Sequence, residues 1–275
     1  MGASEMAAPA EPGYREYAPP AALADHLVCI WTQVIPRGGE PFIQRVLPDG
    51  CIDVVLVNEE APLVAGPWTE PFMVRFAPGS AIIGARWYPG RAPSLLRLSA
   101  AELLNQSVAL GDVWSRASSA PIEQIAGERT LAARRAALER ALLGRLGRAG
   151  PSDGAMRAAV RWIARHPRGR IDQLSDWIGI SGRQLQRRFV AAVGYGPKQF
   201  QSVLRFQRLL GLASHTPPRR TLGQLSAAAG YADQAHMTRE FQRFAGGVPS
   251  QMLRAADSAL ALSDLLDASS DRDPR

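Results

Sequence analysis

Hydrophobic and polar positions follow different periods in the two halves of the chain, and the N-terminal half has the pattern of strands. From Leu27 to about Ala85, short apolar runs are interrupted by Pro, Gly and acidic residues. The clearest runs are LVCIWTQVI, FIQRVL, CIDVVLV, MVRFA and AIIGA. Their β-branched residues, together with turn signals such as Pro48-Asp49-Gly50, are typical of strands joined by tight turns. We therefore predict a mostly β domain, either a barrel or a sandwich.

After this region the apolar period becomes that of helices. Residues 98–149 are predicted to be helical, with Ser99 as an N-cap and Glu102 at capping-box spacing. The segment 121–147 is predicted to be an amphipathic helix, which either packs on the β domain or forms a dimer interface. Its apolar positions are Leu131, Leu138, Leu142 and Leu146. Residues 147–154 (GRAGPSDG) have the composition of a linker.

The last hundred residues contain the same helical pattern twice. Leu174, Ser175, Gly179, Leu185, Arg187, Phe189, Gly194 and Pro197 recur as Leu225, Ser226, Gly230, Met237, Arg239, Phe241, Gly246 and Pro249. Each copy combines a short helix, a turn centred on a glycine and a second helix carrying arginines, which indicates a helix-turn-helix unit. A longer helix over about Pro197–Ala213 is predicted to be a rigid spacer between the two units. The C-terminal domain is therefore predicted to be all-α.

The second helix of each unit is predicted to have one buried face and one open face. Ser181 and Asp233 are at the N-cap positions of these helices. The inward residues are Leu185 and Phe189 in the first helix and Met237, Phe241 and Phe244 in the second. The outward residues are Arg183, Gln186 and Arg187 in the first helix and Gln234, His236, Thr238 and Arg239 in the second. Because Arg and Gln pair with guanine and adenine edges in the major groove, these outward residues are the predicted DNA contacts.

The distribution of charge supports a polyanionic partner for the same segment. Residues 151–255 hold 16 Lys and Arg against five Asp and Glu, whereas residues 1–150 hold 14 Arg against 15 Asp and Glu. The whole chain carries a formal net charge of +7. Basic charge concentrated on the repeat-bearing segment is typical of nucleic-acid binding. The alternative is a basic surface that is merely solvated.

Composition also bears on the compartment. No run of 18 apolar residues is present and the N-terminus lacks the pattern of a secretory signal, so neither a membrane span nor export is expected. Cys29 and Cys51 both lie in apolar, strand-like runs, which makes a disulfide framework improbable. We expect a cytoplasmic protein, with a loose arm over residues 1–20 and a disordered acidic tail over residues 257–275.

At the C-terminal end the chain resembles the AraC/XylS family of bacterial transcription regulators. The resemblance is carried by LSDWIGISGRQLQRRFVAAVGYGPKQF and GYADQAHMTREFQRFAGGVPSQM, and it covers about 100 residues. It implies an asymmetric DNA site read by both units, and usually activation through contact with RNA polymerase. The family's base-reading positions fall on the outward residues named above. Ala235 departs from the pattern because its side chain is too short to read a base.

The N-terminal half resembles a less characterised domain that often precedes this DNA-binding module and looks like a cupin-type sensory barrel. The segments LPDGCIDVVL, VAGPWTEP and IIGARWYPG carry this resemblance. It implies a role in binding a small-molecule effector or in controlling oligomerisation, so a homodimer is one expectation. The resulting division is a β-rich regulatory domain over residues 1–150, a DNA-binding domain over residues 151–256 and the tail.

Two other classes of function stay open at this point: an enzyme or thiol sensor in the N-terminal domain, and a protein that binds DNA without sequence preference. A metal-dependent cupin enzyme needs several convergent His and carboxylate ligands, and His26 is the one histidine in the N-terminal half. A thiol-based sensor or enzyme would use Cys29 or Cys51 with His26. The other class is a nucleoid-type protein without sequence preference. We expect no enzyme activity, no metal and no cofactor.

Overall fold

The protein is described here from a computed structural model that covers residues 13–214 and 220–253. Within those residues, an N-terminal part containing all the strands precedes a helical C-terminal part, so the mixed α+β class is confirmed. The strands are β1 (Gly13–Tyr17), β2 (Leu27–Val34), β3 (Phe42–Val46), β4 (Ile52–Val57), β5 (Leu63–Ala65), β6 (Phe72–Phe76), β7 (Ala81–Trp87) and β8 (Ser107–Ala109).

The helices run from the end of the main strands to the C-terminal region. They are α1 (Ala92–Leu96), α2 (Leu110–Val113), α3 (Arg116–Glu123), α4 (Leu131–Leu146), α5 (Gly154–Arg165), α6 (Ile171–Ile178), α7 (Gly182–Val193), α8 (Pro197–Ser214), α9 (Leu222–Ala229), α10 (Gln234–Ala245) and α11 (Pro249–Met252). Most of the arm and all of the acidic tail predicted from the sequence lie outside the described residues. Where the structure describes the chain, no helix combines the length and the apolar character needed to cross a bilayer.

The main sheet is antiparallel, with the strand order β1-β2-β7-β4-β5-β8. Its register aligns Ile30, Ala85 and Val54 across three neighbouring strands on one face. All three side chains are fully buried beneath helices of the same domain. The alternation of apolar residues along each strand therefore supplies a core on this face, as a period of two requires.

The opposite face of the sheet is covered by a two-stranded antiparallel ribbon, β3–β6. Phe76 of the ribbon packs with Cys29, Trp31 and Ile82 of the sheet. In the hydrogen-bonded order of the described strands, β1 and β8 end the sheet, so it does not close into a ring. The β3–β6 ribbon buries the apolar face that a closed barrel would hold in its interior.

The helices of the N-terminal domain refine the sequence-based boundaries. Ser99 and Glu102 form the predicted capping box, at the start of a 3₁₀ helix over Ala100–Leu103. The single helix predicted over 121–147 is broken: α3 ends at Glu123, and α4 starts only after its N-cap Thr130. Leu138 and Leu142 of α4 are fully buried in the core of the sheet's helical face. This burial supports packing on the β domain as the role of the apolar stripe.

The C-terminal helices enclose a second core around α8, which also includes the buried side chain of Cys51 from the N-terminal domain. Phe200, Val203 and Phe206 of that helix have no exposed surface. They pack with apolar residues from α5 to α10. The predicted spacer is thus the central helix of the domain, and both helix-turn-helix units are built against it.

Candidate nucleic-acid interface

The first helix-turn-helix unit consists of α6, a turn at Gly179 and α7. Gly179 has φ of 75°, and its N–H donates to the carbonyl of Ser175 at 3.0 Å. This left-handed conformation carries little strain only in glycine, which explains the residue at this point of the repeat. Ser181 then caps α7. Its hydroxyl oxygen accepts a hydrogen bond from Gln184 N–H, and the Gln184 side-chain oxygen accepts one from Ser181 N–H. The predicted turn and cap are confirmed.

The second unit repeats this construction with α9, Gly230 and α10. Gly230 has φ of 95°, and Thr221 forms a capping box with Gln224 at the start of α9. Asp233 caps α10 by accepting a 2.7 Å hydrogen bond from His236 N–H. The same local chemistry therefore produces the same geometry twice, as the repeat predicts.

Aromatic contacts fix both second helices on the central helix. Phe189 of α7 lies 5.6 Å from Phe200 between ring centroids, and Phe241 of α10 lies 5.5 Å from Phe206. Leu185, Phe189, Met237, Phe241 and Phe244, the predicted inward residues, are all fully buried. Burial of each such side chain contributes about 1.5–3 kcal/mol, so neither helix can rotate its buried face outward without a large loss of stability.

On α7 the three predicted DNA contacts are exposed. No described residue forms an ion pair with Arg183 or Arg187, so both guanidinium groups are open to a ligand. Gln186 is exposed too, but its amide lies against Gly196, where an added Cβ would be 2.6 Å from Nε2. Two arginines therefore form the open cationic face of this helix.

On α10 the predicted contacts fall into two groups. Gln234 and Arg239 are exposed. His236 and Thr238 are half-buried and engaged within the domain. Thr238 Oγ1 donates to the Gln234 carbonyl at 2.9 Å, and His236 packs edge-on against the Tyr231 ring at 5.4 Å. Ala235, between Gln234 and His236, is exposed, and its methyl group is too short to reach a base.

A partly buried charge network lies beneath α10 and was not anticipated from the sequence. Glu240 accepts from Arg205 Nη2 of α8 at 3.2 Å, and its Oε1 lies 3.4 Å from His236 Nε2. Arg205 also stacks over the Tyr231 ring at 5.5 Å. Burial raises the pKa of Tyr231, and the Glu240 carboxylate raises it further. Glu240 therefore holds α10 against α8. The i, i+4 spacing of His236 and Glu240 was the feature of the sequence from which their contact could have been predicted.

Arg188 is also committed within the protein. It binds both carboxylate oxygens of Asp153, the N-cap of α5, at 2.7 and 3.0 Å. Partial burial acts to raise the pKa of Asp153, but hydrogen bonds from Arg188 and from Met156 N–H bring it below its usual range. Asp153 therefore competes with a DNA phosphate for the Arg188 side chain.

Both cysteines of the N-terminal domain are buried, and His26 is half-buried. Desolvation raises the pKa of Cys29 to about 12 and places that of Cys51 well above its ordinary value. The same cause lowers the pKa of His26. Across the described ranges, 13–214 and 220–253, no group of three or more His, Cys, Asp or Glu side chains is arranged to hold a metal ion.

Comparison with known proteins matches the two domains to separate families. A family model described as a helix-turn-helix domain matches residues 174–255. Another, described as a domain of unknown function (DUF6597), matches residues 15–109.

Among curated proteins, the HTH-type transcriptional regulator RipA of Corynebacterium diphtheriae is 35% identical over 71 residues. The match covers 26% of this chain and spans a fifth (20%) of the length of that relative. Among solved structures, a probable AraC family transcriptional regulator from Rhodopseudomonas palustris CGA009 shows 26% identity and a TM-score of 0.34, covering 38% of this chain and 100% of that one. ToxT from Vibrio cholerae shows 11% identity and a TM-score of 0.44, covering 83% of this chain and 99% of that one. Residues 174–255 of this chain therefore belong to the helix-turn-helix family whose model they match.

Proposed function

We propose that the protein is a sequence-specific DNA-binding regulator of transcription that reads two adjacent segments of the major groove with α7 and α10. The observation that carries the proposal is the pair of capped helices, each anchored by buried aromatic residues and each presenting exposed arginine. Such an arrangement matches the requirements of a recognition helix, which needs a rigid apolar side and polar groups free to reach base edges. Two such helices would sit about one helical turn, or about 34 Å, apart along a duplex.

The exposed residues carry most of the proposed readout. Arg183 and Arg187 on α7, and Gln234 and Arg239 on α10, are free to meet bases or phosphates. Gln186, His236 and Thr238 remain proposed contacts, but each must first leave the intramolecular contact described above. This difference makes α7 the stronger reader of sequence and α10 the weaker one, in line with the short side chain of Ala235.

The wider role follows from the family. We propose that the protein acts in the cytoplasm, where it activates transcription by contacting RNA polymerase from its DNA site. The N-terminal domain would receive a small-molecule effector or support a homodimer. These roles are supported by the AraC-type domain at residues 174–255, behind a second domain of a different fold.

Substitution of one arginine in each helix tests the reading of DNA by both units. We expect Arg187→Ala and Arg239→Ala each to weaken binding to a site selected from a random-sequence library by about 1–3 kcal/mol. Arg75→Ala, an exposed position on the β3–β6 ribbon, is the matched control and should leave affinity unchanged. The measurement is footprinting and titration over a range of salt concentrations, where log Kd should change steeply as counterions leave the phosphates.

Two outcomes of this experiment would contradict the proposal. If both variants protect the selected site with wild-type affinity, α7 and α10 are not the reading elements. If unrelated DNA competes as well as the selected site, the protein is a nucleoid-type binder without sequence preference.

A further inference from the structure

A cleft of about 580 Å³ lies at the junction of the two domains and is not used by the proposed reading of DNA. Its walls come from the segment around α1, from the linker 150–153 and from the part of α7 that carries Arg188 and Ala191. The volume is within the range of about 300–1,000 Å³ that small-molecule sites occupy. A ligand in this cleft would contact the sensory part of the chain and a recognition helix at once.

Much of the cleft wall is apolar. Pro93 and Leu98 line it from the N-terminal domain, Pro151 from the linker and Ala191 from α7. These side chains are small or rigid, so they leave space without blocking it. They suit a flat or compact hydrocarbon body.

The charged groups of the cleft favour an anion. Arg97 lines it and is exposed, and its guanidinium group forms no hydrogen bond or ion pair with any residue that the structure describes. Its φ of 60° is uncommon for a residue with a side chain, and it ends α1 there. Arg97 and Arg148, as like charges, add to burial in lowering the pKa of Arg145, which shows how much positive charge gathers on this side.

The other polar residues that line the cleft are already paired or buried. The charge of Arg188 is neutralised by Asp153, the one acidic side chain among the residues that line the cleft. Ser152 Oγ is buried and has no hydrogen-bond partner among the described residues. The unmatched charged group that a ligand in the cleft can reach is therefore the Arg97 guanidinium group.

We propose that this junction cleft binds a small organic oxyanion, a carboxylate or phosphate on an apolar body, with the anionic group on Arg97 and the body against Leu98 and Ala191. Arginine suits this role because its planar fork of N–H donors matches carboxylate and phosphate oxygens. The Asp153–Arg188 pair shows the same recognition geometry already formed at the rim. The site does not depend on DNA, so it stands or falls separately from the proposed function.

Calorimetric titration of the full chain, without DNA, tests the site. The probes are 2-naphthoate, 2-naphthyl phosphate and, as the neutral counterpart, 2-naphthol. We expect at least one of the two anions to bind with Kd of about 1 mM or tighter, and the neutral compound to bind at least about tenfold more weakly. Which anion binds better distinguishes a carboxylate ligand from a phosphate ligand.

Three variants locate the binding. Arg97→Gln should weaken the anion about tenfold or more, because a charged hydrogen bond is lost. Ala191→Trp should abolish binding by filling the cleft, and its thermal unfolding midpoint reports whether the fold is kept. Arg75→Gln, an exposed arginine on the ribbon, should bind as the wild type does. The proposal is overturned if Arg97→Gln binds the anions like the wild type, if 2-naphthol binds equally well, or if neither anion binds with a Kd of about 1 mM or tighter.

Discussion

At the scale of single residues, burial determines which side chains of the N-terminal domain can react. Cys29 is 4% exposed and Cys51 is 5% exposed. Burial raises the pKa of both thiols, and the nearby Arg86 guanidinium only partly opposes this effect. Because the thiolate is the nucleophile in cysteine chemistry, both groups are held in the unreactive form near neutral pH. Packing accounts for both cysteines.

Thiol labelling checks this interpretation. With a disulfide reagent at pH 8, we expect Cys29 and Cys51 to react at least about 100-fold more slowly in the folded protein than in urea, since pKa values well above 8 leave little thiolate. A Ser250→Cys variant provides an exposed thiol in the same protein as the control. Fast modification of either native cysteine in the folded protein would contradict this interpretation and favour the thiol-sensor alternative.

At the scale of elements, α10 is held by a partly buried ion pair as well as by its apolar face. The side chains of Arg205 and Glu240 are 12% and 14% exposed, which is low for charged groups. Removing one partner of such a pair leaves the other charge buried and uncompensated. The network therefore sets the position of the second recognition helix relative to the central helix.

Removal of Glu240 tests that role. We expect Glu240→Ala to lower the free energy of unfolding by about 2 kcal/mol, because Arg205 loses a charged hydrogen-bond partner. Glu139→Ala removes a carboxylate that lies 4.0 Å from Arg135 in a more exposed i, i+4 pair, and it should cost about 0.5 kcal/mol or less. Urea unfolding measures both variants. Equal losses for the two would mean that the Arg205–Glu240 pair is not a structural anchor.

At the scale of the whole molecule, the N-terminal domain contacts the C-terminal ends of α7 and α10. Pro67 packs on Gly194 after α7, where an added Cβ would lie 2.6 Å from Pro67 Cγ. Arg45 Nη1 donates to the carbonyl of Ala245 at the end of α10, at 2.8 Å. Between these contacts, Gln207 Nε2 of α8 donates to the Pro48 carbonyl at 2.6 Å in a buried bond. The N-terminal domain is thus in direct contact with the elements proposed to read DNA.

The buried bond at Gln207 is the simplest point at which to test this docking. In Gln207→Ala the Pro48 carbonyl loses its partner at a cost of about 1–3 kcal/mol. We expect the domains to separate more often, and limited proteolysis should then cut the linker 147–154 several-fold faster. Gln242→Ala, at an exposed position on α10, is the control. Identical cleavage rates for wild type and both variants would show that the contact does not hold the domains together.

Residues close together in the chain made much of this structure predictable. The capping box at Ser99 and Glu102, the left-handed turns at Gly179 and Gly230 and the buried face of α7 all depend on neighbours within one or two helical turns. The errors occurred where local signals conflict. The helix expected over 121–147 is interrupted because the chain around Gly127–Thr130 ends one helix and caps the next.

The candidate site was predictable only in part, because exposure on a helix depends on what packs beside it. Helical spacing alone places His236 and Thr238 on an outward face, next to Arg239. Glu240, four residues further along α10, and Tyr231 contact His236. The packing of α8 then adds Arg205, which binds Glu240 and which helical spacing does not reveal. In the same way, Asp153 lies 35 residues from Arg188, so no local pattern could pair them.

Periodicity, turn residues and charge were enough to specify the elements, their repetition and the basic character of the C-terminal domain, because each of these depends on short stretches of chain. The tertiary fold decided which arginines are free and which are paired, how the ribbon covers the sheet, and where the two domains meet. Those outcomes depend on contacts between distant segments, such as the Gln207–Pro48 bond that joins residues 159 positions apart. Such contacts form only when separate hydrophobic faces are buried together, and a linear pattern does not record which faces will meet.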